Sequence, residues 1–418
     1  MMKEKAIKIL KKYWPLILIV IIMVAGFQIR LLDYRWPYLR NIDSYNFFRE
    51  ISNIVSNNGV MPGYDPLLLP PQGTGIPGTA GPFVPYQYLA AYSYMIYNAI
   101  SPTEIWKFLI WFPPLLAALL AIPMYFIGKF LYNRKAGVLA AFFMVFDISV
   151  MSRTLGGDPD SDAIVLLLPL IVIALFLLSY KYADKIKTIM SKRLLLYSII
   201  TGIFFGIWGL AWAGEWFVLW LLAGFFIIKI LFDIIKTRSI RKTFIGLKAP
   251  IFSFIIILII YFAIGASVQG IGFVTGSIQG PFSFGDIKGE ENREFPNVYV
   301  SVAELQNPGG LKDVIQRVTA ISIEANPLAA IISPFFLMIY GLIYMVYSYV
   351  KRREHLDTLI FLLIWFIGPL IATLIATRFS ILFSAPMAIC SAIFLVMLFD
   401  KIFLADDGKK TGQRAEHE

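Results

Sequence analysis

Continuous apolar runs of about 20 residues recur along this 418-residue chain. A helix of that length crosses the hydrocarbon core of a bilayer. Such a run cannot leave its backbone N–H and C=O groups unpaired in lipid, so it must be α-helical or part of a closed barrel. Barrel strands are short and alternate in polarity, whereas these runs are unbroken. The chain therefore reads as an all-α polytopic membrane protein. Its 58% hydrophobic and 15% charged content falls well short of the roughly 25% charge of a soluble domain.

We place spans at about 14–32, 107–131, 136–151, 163–181, 194–212, 215–233, 249–267, 328–349, 357–377 and 380–399. An aromatic segment over 84–100 would lie at the interface or dip into the membrane. The first span follows Lys3, Lys5, Lys8, Lys11 and Lys12 and reads as an uncleaved signal anchor. Lysine and arginine concentrate in alternate loops, which puts both termini in the cytoplasm. The net charge of +10 is thus a topology signal, and no nucleic-acid partner is expected. Residues 1–400 would form the membrane domain and 401–418 a cytoplasmic polar tail. Two long outer loops, about 33–106 and 268–327, are rich in Gly and Pro, and loops of that length usually bind something or lack order.

One cysteine, Cys390, and two histidines leave almost no ligands for a zinc or copper site. Carboxylates are gathered instead. The stretch LGGDPDSDAIVLLLP brings Asp158, Asp160 and Asp162 to the mouth of an apolar run. By the topology above they share the outer face with Asp43, Glu304 and Arg378. Hard divalent cations such as Mg²⁺ and Mn²⁺ prefer such oxygen ligands. The same residues also make ordinary turns and helix caps, and Asp162 could be a plain N-cap. Arg153 could be an arginine snorkelling to the interface. Asp43 and Glu304 could be solvated loop acids. Arg378 lies between two apolar runs, where an arginine tends to have a partner. Glu215, in LAWAGEWFVLW, reads as interfacial, lining a cavity.

The order of these features resembles the catalytic membrane subunit of oligosaccharyltransferase, in its single-subunit archaeal and bacterial form. The matching stretches are Asp43 in the first outer loop, YDPLLLPPQGTG, RTLGGDPDSDAIVLLLP, SVAEL and RFSILFSAP. The most specific is Arg153 followed seven residues on by Asp160, then Ser161 and Asp162. Ser301-Val302-Ala303-Glu304 stands where the family has a Ser-Val-Ser-Glu-like motif. The resemblance covers roughly residues 1–400 and implies a GT-C-type glycosyltransferase with about 10–13 transmembrane helices. It would move a glycan from a polyprenyl (pyro)phosphate lipid to asparagine of an acceptor polypeptide, with inversion, using Mn²⁺ or Mg²⁺. Asp43, Asp160 and Glu304 would bind the metal, with Asp162 in or beside its shell. Asp43 and Glu304 would hold the acceptor amide, Arg153 would brace the acids, and Arg378 with Asp158 would bind substrate.

The family's extracytoplasmic domain, with its Trp-Trp-Asp motif, is not among these 418 residues. Acceptor recognition would then come from a second chain. Other readings stay open: the same fold acting on a lipid, glycan or hydroxyl acceptor, a non-enzymatic truncated paralogue, or a transporter of the lipid-linked sugar. Span interiors nearly free of charge disfavour the transporter. High Ile and Lys usage fits an archaeon or a similar prokaryote.

Overall fold

The computed structural model describes residues 2–32, 34–35, 37–66, 74–75, 84–283 and 308–404. Its elements in chain order are α1 (Met2–Leu32), α2 (Ile42–Ser56), α3 (Pro85–Ile100), α4 (Ile105–Leu119), α5 (Ala121–Leu131), α6 (Arg134–Val145), α7 (Ile148–Ser152), α8 (Asp162–Ile186), α9 (Lys192–Gly209), α10 (Trp216–Thr237), α11 (Ile240–Gly246), α12 (Lys248–Gln269), α13 (Ile271–Ser283), α14 (Leu311–Thr319), α15 (Pro327–Ile331), α16 (Pro334–Arg352), α17 (Leu356–Ile375) and α18 (Ser384–Phe399). A short antiparallel pair joins Tyr64–Asp65 to Thr74–Gly75. Among the described residues, nine helices are long and apolar enough to cross a membrane.

Two differences from the sequence reading have local causes. The expected span over 136–151 is a 12-residue helix, α6. It stops because Asp147 takes the backbone N–H groups of Ser149 and Val150, at 2.9 and 3.1 Å, and starts α7. Where the sequence reading expects a long loop over 33–106, the described residues include two helices, α2 and α3. Asn41 caps α2 by accepting from the Ser44 N–H at 2.8 Å, a common role for Asn at that position. Pro113 and Pro114 lie inside α4, and Leu120 separates α4 from α5. Proline removes a helical hydrogen bond and strains the turn before it.

The chain divides into two compact units: residues 1–22, 124–150 and 298–418, and residues 23–123 and 151–297. In the first unit α18 is the central helix, packed on α6 and α16. Gly341 lets α16 approach closely, since a Cβ there would lie 2.2 Å from the Cys390 carbonyl oxygen. The Ser384 hydroxyl donates to Asp147 at 2.8 Å, and Thr358 donates to the Leu131 carbonyl at 2.7 Å.

In the second unit α8 is the core helix, with 83% of its apolar window buried, against 22% for α12. Gly202 and Gly206 line the face of α9 against Ile260 and Ile264 of α12, the small-residue contact by which helices pack in lipid. Ser179, Ser198 and Ser253 form a buried hydroxyl bridge across α8, α9 and α12, with contacts of 2.7 and 2.8 Å to Ser253. α2 lies against α3, and its Arg49 and Asn53 hold Asp65 at the start of the short strand pair. α9 runs antiparallel to α8, with Ser179 facing Ser198, and parallel to α12, with Gly202 facing Ile260 and Gly206 facing Ile264; residues 210–215 lead from its end into α10. The start of α8, the α9–α10 junction and the end of α12 therefore share one end of this unit.

Candidate active site at the acidic turn

The turn between α7 and α8 is fixed by its backbone. Gly156 and Gly157 donate to the carbonyls of Arg30 and Ile110 at 3.0 and 2.9 Å, and Arg40 N–H donates to Gly157 at 2.7 Å. The Arg40 side chain also holds the Gly156 carbonyl at 3.0 Å. Gly157 has φ +79, and a Cβ there would sit 2.4 Å from the Tyr34 ring. Both demands select glycine at position 157. Arg30, fully buried, braces the turn from α1 by donating to Thr154 Oγ1 at 2.8 Å.

Three carboxylates hang from this frame. Asp158 Oδ1 accepts from Asn41 Nδ2 at 2.6 Å and Ser44 Oγ at 2.8 Å. Asp160 Oδ1 accepts from the Ser161 N–H and hydroxyl. The second oxygen of each makes no hydrogen bond among the described residues. Burial, then the Asp162 charge, push Asp160 up to about 6. Burial also raises Asp158. Asp162 lies in the first turn of α8 with no cap bond and pairs instead with Arg153 Nη1 at 3.1 Å. Crowded, half-buried carboxylates with free oxygens fit a hard, oxygen-preferring cation.

The remaining expected site residues fall as follows. Asp43 is exposed in the first turn of α2, flanked by Asn41 and Ser44, which both bind Asp158. Arg378 is half-buried in a 3₁₀ turn, Thr377–Phe383, of the first unit. Glu304 lies outside the described residues. Among the described residues, no three acidic, histidine or cysteine groups stand where one metal ion could join them. The sequence reading missed Asn41, Ser44 and Arg40 as supports of the turn. Asn41 and Ser44 had a local signal, an Asn cap three residues before a serine.

A second polar site lies at the same end of this unit. Glu215, only 6% exposed, accepts from the hydroxyls of Ser277, at 2.7 Å, and Tyr261. It lines a cavity of about 520 Å³ with Trp212, Trp216, Gln269 and Phe273. Burial pushes its carboxyl up to about 7, against the pull of the two hydroxyls.

Comparison with known proteins agrees with this architecture. A dolichyl-phosphooligosaccharide-protein glycotransferase of Archaeoglobus fulgidus is 22% identical over 94% of this chain and 51% of its own length. One from Pyrococcus furiosus is 28% identical over 62% of this chain and 25% of its own. The chain spans about half the length of such relatives, or less. The solved A. fulgidus oligosaccharyltransferase AglB, in complex with an inhibitory peptide and a dolichol-phosphate, matches with a TM-score of 0.65. Identity there is 20%, over 96% of this chain and 52% of that one. A second structure of an A. fulgidus oligosaccharyltransferase, with Zn and sulfate, gives 0.66 at 22% identity, over 93% and 50%. These likenesses show a multi-pass membrane fold of the GT-C type. The family model described as "Oligosaccharyl transferase STT3, N-terminal" matches residues 15–406, and the chain belongs to that family.

Proposed function

We propose that this chain is the membrane-embedded catalytic part of an oligosaccharyltransferase. It would transfer a glycan from a dolichyl- or other polyprenyl-phosphate carrier to an acceptor asparagine, on the extracytoplasmic side. The observation that carries this reading is the acidic turn: Asp158 and Asp160 are held rigidly, with raised carboxyls and one unbonded oxygen each among the described residues. Asp160 and Asp43 would hold a divalent cation with Glu304, and Asp162, kept in place by Arg153, would stand beside it. A bound Mn²⁺ or Mg²⁺ supplies Lewis acidity to the departing phosphate.

The chain's own residues do the rest. Asp43 and Glu304 would accept the two N–H bonds of the acceptor amide and turn its nitrogen out of conjugation. Arg378 would hold the phosphate by charge-assisted hydrogen bonds. A single in-line attack then inverts the sugar carbon, with no covalent glycosyl-enzyme.

The test combines membranes holding the chain with a lipid-linked sugar and an Asn-x-Thr peptide, with and without Mn²⁺, together with any partner needed for acceptor binding. Transfer that needs Mn²⁺ and disappears in Asp160→Ala is the expected result. Transfer indifferent to a chelator would remove the metal from the reading.

A further inference from the structure

At the end of the second unit opposite the acidic turn, α8, α9 and α12 meet in a buried cluster of Ala183, Leu194 and Ala249. Beside it α11 joins α10 to α12. Ser239 caps α11 by accepting from the Lys242 N–H at 3.3 Å, and Thr243 Oγ1 lies 2.9 Å from Thr237 Oγ1. Thr243 and Leu247, four residues apart and so on one face, are buried. Ile240 and Phe244, also four apart, are turned out and are 64% and 47% exposed.

Cations border those apolar side chains. Lys236, Arg238, Arg241, Lys242 and Lys248 are all exposed. Lys192 and Arg193, next to Leu194 of the buried cluster, add two more exposed cations at the same end. The acids of residues 181–194 and 229–249 are Asp184 and Asp233. They pair with Lys187 at 2.7 Å and Lys229 at 3.1 Å, so each local acid already has its own lysine. A topology signal needs only charge. It does not need a capped helix that shows isoleucine and phenylalanine beside that charge. Apolar side chains next to Lys and Arg on one helix fit the boundary between acyl chains and anionic headgroups.

We propose that α11 and the cations around it form a docking surface for the phosphate headgroups of anionic lipids, with Ile240 and Phe244 set among the acyl chains. Charge complementarity favours this occupant. Each Lys or Arg near an anionic membrane surface strengthens the attraction by about fivefold. The apolar residues beside the charge suit a lipid better than a free anion.

The test places the full chain in phosphatidylcholine vesicles with spin-labelled phosphatidylglycerol as probe and spin-labelled phosphatidylcholine as reference. The immobilised fraction of each label reports lipid held by the protein. The wild type should hold the anionic probe in preference to the neutral one, and high salt should shrink that preference. Combining Arg241→Gln, Lys242→Gln and Lys248→Gln should lower the preference by about fivefold or more. The same change at Lys351, Arg352 and Arg353 of the first unit should lower it less. Ile240→Ser with Phe244→Ser, which leaves the charge as it is, should also reduce the immobilised anionic probe. These side chains are exposed, so melting in detergent should match the wild type throughout. Equal losses from the two basic sets would mean that charge acts without regard to α11, and that overturns the proposal. So does equal holding of both probes by the wild type. Displacement of the anionic probe by millimolar inorganic phosphate overturns it too, by marking a site for the free ion.

Discussion

Two buried acidic sites share one end of the second unit, and they solve the same problem differently. Glu215 is enclosed by neutral donors: Ser277 and Tyr261 occupy its two oxygens, and Ser277 also bonds the Phe273 carbonyl at 2.9 Å within α13. The set is complete, and it ties α10, α12 and α13 together. Among the described residues Asp158 and Asp160 use only one oxygen each, and they face Asp162 as a like charge. Of the cations near them, Arg153 is bonded to Asp162, and Arg40, bonded to the Gly156 carbonyl, only partly offsets the burial of Asp158. Burial raises both kinds of carboxyl. On the proposed reading, what would separate a structural acid from a ligand site is the unmet demand for positive charge, since burying a charge without a partner is costly.

That contrast is open to direct attack. The largest effect should come from Asp160→Ala, with glycan transfer falling on the order of 100-fold or more; near-normal transfer would reduce the acidic turn to a scaffold. Arg153→Ala releases Asp162 and should weaken Mn²⁺ binding by about 10-fold or more. Arg153→Lys should recover part of that loss, as a point charge lacking the planar guanidinium. Glu215→Ala should leave Mn²⁺ affinity within about twofold of wild type while lowering stability by about 2 kcal/mol, because the buried Tyr261 and Ser277 hydroxyls lose their acceptor. A fall in metal affinity there would erase the distinction between the two sites.

The pH dependence of stability sharpens it further. Glu215 has a carboxyl raised from 4.5 to about 7, so the folded state binds its proton more tightly than the unfolded chain does. Its contribution is greatest below about 4.5 and is lost as pH rises through about 7. Melting followed between pH 5 and 8 should show this decline in the wild type and a smaller one in Glu215→Gln. The smallest effect is expected from Ser253→Ala, at about 0.6 kcal/mol for each of its two hydroxyl contacts, a usual size for an interhelical hydrogen bond in a membrane bundle. Unchanged melting would make the serine bridge incidental.

Much of the fold was legible along the chain. Long runs such as Asp162–Ile186 are helices because hydrocarbon permits little else. The run over 136–151 misled because apolar count does not register that Asp147 caps a new helix. The acids were visible as residue types, and Arg153 as a brace for them through the resemblance. The partners of Asp158 were not, since Asn41 and Ser44 lie more than 100 residues away.

The sequence by itself determined the class of molecule, the helices and the kind of ligand chemistry on offer, because solvation by lipid acts on each segment separately. Only the tertiary structure decided which acids are satisfied and which are left wanting. That depends on the rotation and depth of helices far apart in the chain, and on where their side chains meet.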